Sequence, residues 1–329
     1  MNIFIDTNVF LSFYHFSNDD LEELKKLGVL LEKGKVKLFL PEQVIQEFRR
    51  NRENKIADAL KQLREQKLDL RFPQFCKEYD EYENLRQLQR TYSKVHAELI
   101  QKAIADVQSQ NLKADKVIQD LFINGIEIPV DDSIKELARM RMAVGNPPGK
   151  NGSLGDALNW EVLLIKIPDD EPLYFITDDK DFSSPIDSSI FNAYLSQEWR
   201  ERKDSEIFYY KSLSEFFKEY FPKITLASEL EKDLVIRELA NSSSFAETHT
   251  IISKLNKFSD FTIAQINAII DATNSNNQIY WIVDDADVIK FLLKVIKGKE
   301  SKIKPESLGE LLSSMKDTSS DSPDDELPF

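Results

Sequence analysis

Five acids stand where this chain could do chemistry: Asp6, Glu47, Asp156, Asp179 and Asp181. Asp6 follows the apolar run Ile3-Phe4-Ile5 and precedes Thr7-Asn8. Asp179 and Asp181 belong to Asp178-Asp179-Lys180-Asp181, which follows Leu173-Tyr174-Phe175-Ile176-Thr177. A short, wholly apolar run suits a strand buried on both faces of a parallel sheet. The carboxyl ends of such strands form the edge at which open α/β sheets bind ligands. Carboxylates at that depth are costly unless hydrogen-bonded or met by a cation, and three within four residues repel one another. Brought to one edge, the five acids make an all-oxygen donor set for a hard divalent ion, magnesium or manganese. Such an ion can lower the pKa of a water, orient it and stabilise charge on a phosphate oxygen during in-line displacement. Each acid also has a plainer reading. Asp6, Thr7 or Asn8 caps the following helix. Ser153-x-x-Asp156 matches a capping box. Glu47 is a salt-bridged glutamate beside the stripe Val44, Ile45 and Phe48, with Arg49 and Arg50 nearby.

To position these acids, the chain needs strands at 3–5, 36–40, 173–177 and 207–210, with helices over 19–32, from 42 onward, 131–144, 157–165 and 212–221. The order strand–helix–strand predicts right-handed parallel crossovers. Residues 49 to about 120 read as long helices carrying Arg49, Arg50, Arg52, Lys55, Arg86, Arg90 and Lys94, with Tyr79, Tyr82 and Tyr92 interleaved. One reading is a solvated charged face on an antiparallel helical pair. The other is an arm that grips phosphates and stacks bases. Arg49, Arg50 and Lys150 are the expected substrate contacts. A second unit, 223–298, reads as helices over 224–240, 245–256, 262–274 and 288–296. There 278–283 is a short strand or a helix continuation, and Asp284, Asp285 and Asp287 cap the helix at 288–296. From Gly298 order is expected to fade into an acidic tail, 299–329. The first unit is therefore 1–222, with a helical insertion over about 49–130.

Composition narrows the chemistry. Acids exceed bases by 57 to 43 among 329 residues, so the net charge is −14 and any nucleic-acid binding must use a local basic surface. Cys76 is the one cysteine, which excludes an internal disulfide and fits a reducing, cytoplasmic setting. Three scattered histidines argue against zinc. No apolar run reaches the ~18 residues that span a bilayer, and the N-terminal stretch lacks the basic region of a signal peptide. Neither a nucleophilic triad nor a Gly-rich phosphate loop is visible.

Taken in order, Ile3-Phe4-Ile5-Asp6-Thr7-Asn8, the helical Glu47, Gly155-Asp156-Ala157 and Ile176-Thr177-Asp178-Asp179-Lys180-Asp181-Phe182 resemble the four acidic motifs of PIN-domain nucleases, over roughly residues 1–221. The resemblance implies a PIN-like α/β/α sandwich with a central parallel sheet, here with a long helical insertion and a small, mainly helical C-terminal domain. It implies metal-dependent cleavage of RNA, usually single-stranded, by a water nucleophile. Asp6, Glu47, Asp156 and Asp179 would hold Mg2+ or Mn2+, with Asp181 an added acid. Thr7, Asn8 and Thr177 would support the ligands through hydrogen bonds. The insertion is similar to that of larger stand-alone bacterial members and leaves room for an oligomer. A haloacid-dehalogenase-type phosphatase needs a second aspartate where Asn8 stands. A DNA-directed nuclease and a non-catalytic interaction protein are the remaining alternatives. The ending Asp324-Asp325-Glu326-Leu327-Pro328-Phe329 resembles the acidic tip of bacterial single-stranded DNA-binding proteins. It implies partners that recognise that tip through Asp324, Asp325, Leu327, Pro328 and Phe329.

Overall fold

The apolar run after Met1 forms β1 (Asn2–Ile5), buried at all four positions. It pairs in parallel with β2 (Lys37–Pro41) on one side and β4 (Leu173–Ile176) on the other. With β3 (Ile126–Ile128) and β5 (Ile207–Tyr210) these make a five-stranded sheet of order β3-β2-β1-β4-β5, every pair parallel. The computed structural model describes residues 1–15, 21–66, 68, 71–149, 152–222, 224 and 226–317. The chain divides after residue 223 into two compact units.

In the first unit the helices are α1 (Thr7–Ser12), α2 (Leu21–Glu32), α3 (Glu42–Glu65), α4 (Asp80–Gln108), α5 (Lys113–Asn124), α6 (Asp132–Ala143), α7 (Leu154–Lys166), α8 (Ala193–Lys203) and α9 (Leu213–Tyr220). Neighbouring residues of a strand point to opposite faces. On β4, Phe175 meets Trp160 of α7, ring centres 6.3 Å apart, while Tyr174 meets Phe216 of α9 at 5.9 Å. Helices therefore cover both faces, and the unit is an α/β/α sandwich. That double cover is why β1 and β4 carry no polar alternation.

α3 runs without a break into the insertion, and α4 buries none of its residues. Arg52 of α3 forks onto both oxygens of Asp115, 2.6 Å each, and the Tyr14 hydroxyl donates to the same carboxylate. That ties α3 to α5 and to the chain just after α1. β3 was not expected. It is three residues long, lies at the sheet edge and exposes Ile126 and Glu127, so it leaves almost no apolar pattern.

The second unit comprises α10 (Ala227–Ala240), α11 (Phe245–Leu255), α12 (Ile263–Ser275), α13 (Asn277–Tyr280), α14 (Ala286–Ile296) and α15 (Pro305–Asp317) around its own apolar core. Three expectations are corrected here. Residues 278–283 hold no strand: the Asn276 side chain caps a one-turn helix, and turns come after it. Order does not fade at Gly298: Ile303 and Leu311 are buried in the core and Leu308 packs on it, so a sparse apolar stripe carries α15 through a polar composition. Asp285 stands at the start of α14 but makes no side-chain bond to the helix. Instead it and Asp287 flank His249 of α11, at 3.2 and 2.8 Å. Among the described residues no helix is long and apolar enough to cross a membrane.

Candidate metal centre and its cleft

Strand order reverses at β1: β2 and β3 lie to one side of it, β4 and β5 to the other. The two crossovers part there and leave a crevice at the carboxyl ends of β1 and β4. Asp6 ends β1 and Thr177 ends β4, and they meet. The Thr177 hydroxyl donates to Asp6 Oδ2 at 2.7 Å. It accepts from Asn8 Nδ2 at 3.1 Å and from the Asp179 backbone N–H at 3.0 Å. The Thr7 N–H donates to Asp6 Oδ1 at 2.7 Å. One buried hydroxyl thus fixes Asp6, Asn8 and the turn that carries Asp179. The Asp181 N–H in turn donates to Asp179 Oδ1 at 2.9 Å. The expected support by Thr7 and Asn8 is corrected in detail. Thr7 acts through its backbone N–H and Asn8 through Thr177, and each Asp6 oxygen keeps a lone pair for a cation.

Glu47 and Asp156 come from α3 and α7. Gly155 faces α3 closely: a Cβ there would sit 2.8 Å from Gln43 Nε2, too near, and 3.5 Å from Glu47 Oε2, an ordinary contact. Ser153 begins α7 without capping its backbone, so the capping box does not form. Neither Arg49 nor Arg50 pairs with Glu47; Gln43 Nε2 is its neighbour, at 3.5 Å. The loop that leads to Asp156 is held from below by Arg141 of α6. Its guanidinium, 5 % exposed, donates to Glu161 of α7, to Glu198 of α8 and to the Pro147 carbonyl. Trp160 Nε1 donates to the other oxygen of Glu198.

The acids feel one another. Burial pushes Asp6 up to about 7, against the Thr177 hydroxyl, with Asp156 and Glu47 adding to the rise. Burial also pushes Asp156 up to about 6, against the Ser153 hydroxyl, with Asp179, Glu47 and Asp181 adding to it. Among the described residues no three such side chains close on a point as a finished cage. Magnesium does not need one, since it keeps several waters and takes few carboxylates. The donor set is all oxygen and carries a surplus of negative charge. A buried Asn8 oxygen and the buried Thr7 hydroxyl have no partner, and Gly155 leaves the space that a Cβ would narrow. These features fit a hydrated hard cation. Asp6, Glu47, Asp156 and Asp179 are the residues that would hold it.

Beside the acids lies an open cleft of about 920 Å³. Asn8, Asp178, Asp179, Asp181 and Glu215 line it, and so do Lys55, Lys180, Lys211 and Lys218. Arg49 and Arg50 are exposed and do not line it. Lys150, Asp324, Asp325, Leu327, Pro328 and Phe329 lie outside the described residues. Sequence reasoning named Lys55 only within a charged helix and passed over Lys180, Lys211 and Lys218. Lys180 and Lys211 carry a usable signal: each closely follows a strand at the edge where the acids gather. The Tyr209 hydroxyl was also missed. It is buried without a partner near Asp178, and burial, with that charge, pushes it up to about 12.

The sequence model of one family, described as a PIN domain, matches residues 3–182, more than half of the chain. No curated protein and no solved structure gives a significant match.

Proposed function

The chain is a member of the PIN-domain family, a family of metal-dependent nucleases, and on that premise we propose that it is an endoribonuclease that hydrolyses single-stranded RNA with Mg2+ or Mn2+. The observation that carries this reading is the meeting of Asp6 and Asp179 on the Thr177 hydroxyl, at the switch point of the sheet and beside an open, lysine-bearing cleft. The choice of RNA over DNA follows the family likeness.

When bound, a divalent cation makes a water nucleophilic near neutral pH and stabilises charge on the phosphate. The protein's share is positioning. Thr177 and the Thr7 N–H hold Asp6 in one orientation. Gly155 lets the Gln43 amide beside Glu47 stand against the start of α7, where Asp156 projects. Asp179 and Asp181, part-exposed at the cleft, can take the proton that the attacking water gives up. The reaction adds water across a P–O bond, so the products are a hydroxyl end and a phosphate end.

Internally labelled single-stranded RNA, single-stranded DNA and duplexes, incubated with manganese, test the reading. Internal cuts in RNA are expected, lost with chelator and in Asp156→Asn. In a thermal melt, manganese should raise the Tm of the native protein and not that of the variant. Undiminished cutting by Asp156→Asn would overturn the site. DNA cut while RNA stays whole would overturn the substrate.

A further inference from the structure

The cleft gathers cations that the metal centre does not explain. Acids outnumber bases by 14 in this chain, and many surface lysines take a carboxylate: Lys25 pairs with Glu22, Lys135 with Asp132, Lys254 with Glu238 and Lys304 with Asp271. Among the described residues the ammonium groups of Lys55, Lys180 and Lys218 make no ion pair or hydrogen bond. Lys211 donates to a neutral hydroxyl, that of Ser188, at 2.8 Å. These four cations come from four places: mid-α3, the turn after β4, the end of β5 and the far end of α9. The fold brings them to one cleft beside Asp178, Asp179, Asp181 and Glu215, yet among the described residues none of these carboxylates closes an ion pair with them.

We infer that Lys55, Lys180, Lys211 and Lys218 form a phosphate track that grips the backbone of a single-stranded nucleic acid and reads no bases. The track rests on the nuclease reading above and assigns the substrate contacts of the same site. A lysine ammonium is a point charge with three rotatable donors and suits phosphate oxygens in varied poses. Phosphate contacts set register and carry no sequence information. Base readout of a single strand needs stacking platforms, and among the described residues no aromatic ring lines this cleft. The tyrosines of the insertion lie outside the cleft: the Tyr92 hydroxyl donates to the Gln66 carbonyl and its ring stacks on His96, Tyr82 meets Phe72, and Tyr79 is exposed. Ser214 adds a hydroxyl to the lining, and the Ser212 hydroxyl already accepts from the Glu215 N–H.

Counterion release turns this into a number. Each phosphate neutralised on a single strand contributes about −0.7 to the slope of log K against log salt, so four contacts predict about −2.8. The test uses the full chain carrying Asp156→Asn, with manganese, and labelled 12-nucleotide single strands of uniform and mixed sequence. Affinity is read by fluorescence anisotropy between about 50 and 200 mM salt. The expected slope is near −2.8 and alike for all sequences. Lys180→Gln with Lys218→Gln, both exposed positions, should flatten it by about 1.4, and Lys→Arg at both should restore it. An unchanged slope in the Gln pair, or a slope near zero in the parent, overturns the track. So does a sequence preference above about tenfold that survives high salt. Failure of the nuclease reading looks different: the native chain cuts nothing although the slope is present. Cutting with a flat slope removes the track and leaves the nuclease.

Discussion

At the scale of single residues, the choice between a helix cap and a metal ligand for Asp6 dissolves. Its Oδ1 takes the Thr7 N–H at the start of α1 and its Oδ2 takes the Thr177 hydroxyl, so one carboxylate caps a helix and is oriented for a ligand. Thr177 is the residue on which this depends. It is fully buried, and its hydroxyl makes one donation and two acceptances, which is all that a hydroxyl can make. Thr177→Val keeps the shape and removes three bonds, leaving a buried carboxylate oxygen and a backbone N–H unpaired. The expected cost is about 1–3 kcal/mol of stability, read as a lower denaturant midpoint at unchanged slope. Manganese affinity, read by isothermal titration, should fall about 10- to 100-fold. Thr177→Ser should recover most of both. A Val variant that binds manganese as tightly as the native chain would remove Thr177 from the site. The motif Thr177-x-Asp179 was visible in the sequence; that its hydroxyl serves Asp6 across 171 positions was not, because only the pairing of β1 with β4 brings them together.

Asp6 and the Asp179–Asp181 turn were legible because burial on both faces makes β1 and β4 unbroken apolar runs, and an acid at the end of such a run stands out; Glu47 and Asp156 stood out only as acids within helical patterns. The edge strand β3 and the helix α15 were not legible, since each carries too few buried residues to leave a period. The lysine track was hidden for a different reason: its members are ordinary surface lysines until the sheet order gathers them. Gly155 belongs to this scale as well. Its φ is ordinary, so the need for glycine comes from the crossing of α3 and α7 and not from a turn. Gly155→Ala should leave the fold intact and can add up to about 1 kcal/mol, since alanine favours the helix. The added methyl would stand at ordinary contact distance, 3.5 Å, from Glu47 Oε2 but only 2.8 Å from Gln43 Nε2, so it would drive off the amide that neighbours Glu47 and loosen that carboxylate. Cleavage should therefore fall about 10- to 100-fold while the Tm holds or rises, because small misplacements of a reacting constellation are costly. Full activity in the Ala variant would show that Glu47 does not need that amide.

For the whole molecule, a net charge of −14 opposes polyanion binding at long range, so function depends on where charge is placed and not on its sum. The first unit answers with a local cluster of unpaired lysines. The second unit is acidic near its one histidine, and there the charges are paired. His249 of α11 lies between Asp285 and Asp287 at the start of α14, about a third exposed. The Asp287 hydrogen bond, with the charge of both acids, raises the His249 pKa above its usual value. Burial alone would raise Asp287, but the His249 hydrogen bond and charge, together with backbone N–H bonds from Asp287 and Val288, outweigh it and hold that acid below the usual carboxylate range. A raised histidine gives stability that is whole below its unfolded pKa of about 6.5 and is lost as pH climbs through the folded value. A lowered aspartate gives stability present above about 3.9 and lost on acidification. The clamp is thus strongest between those limits and worth about 0.5 kcal/mol, the scale of a solvent-screened pair. His249→Gln should melt the second unit below the native protein at about pH 6 and match it by about pH 8. Hydrogen exchange of the α11 and α14 amides, corrected for intrinsic chemistry, separates this from melting of the nuclease unit. A gap that stays constant across that range would show that His249 contributes packing and not charge.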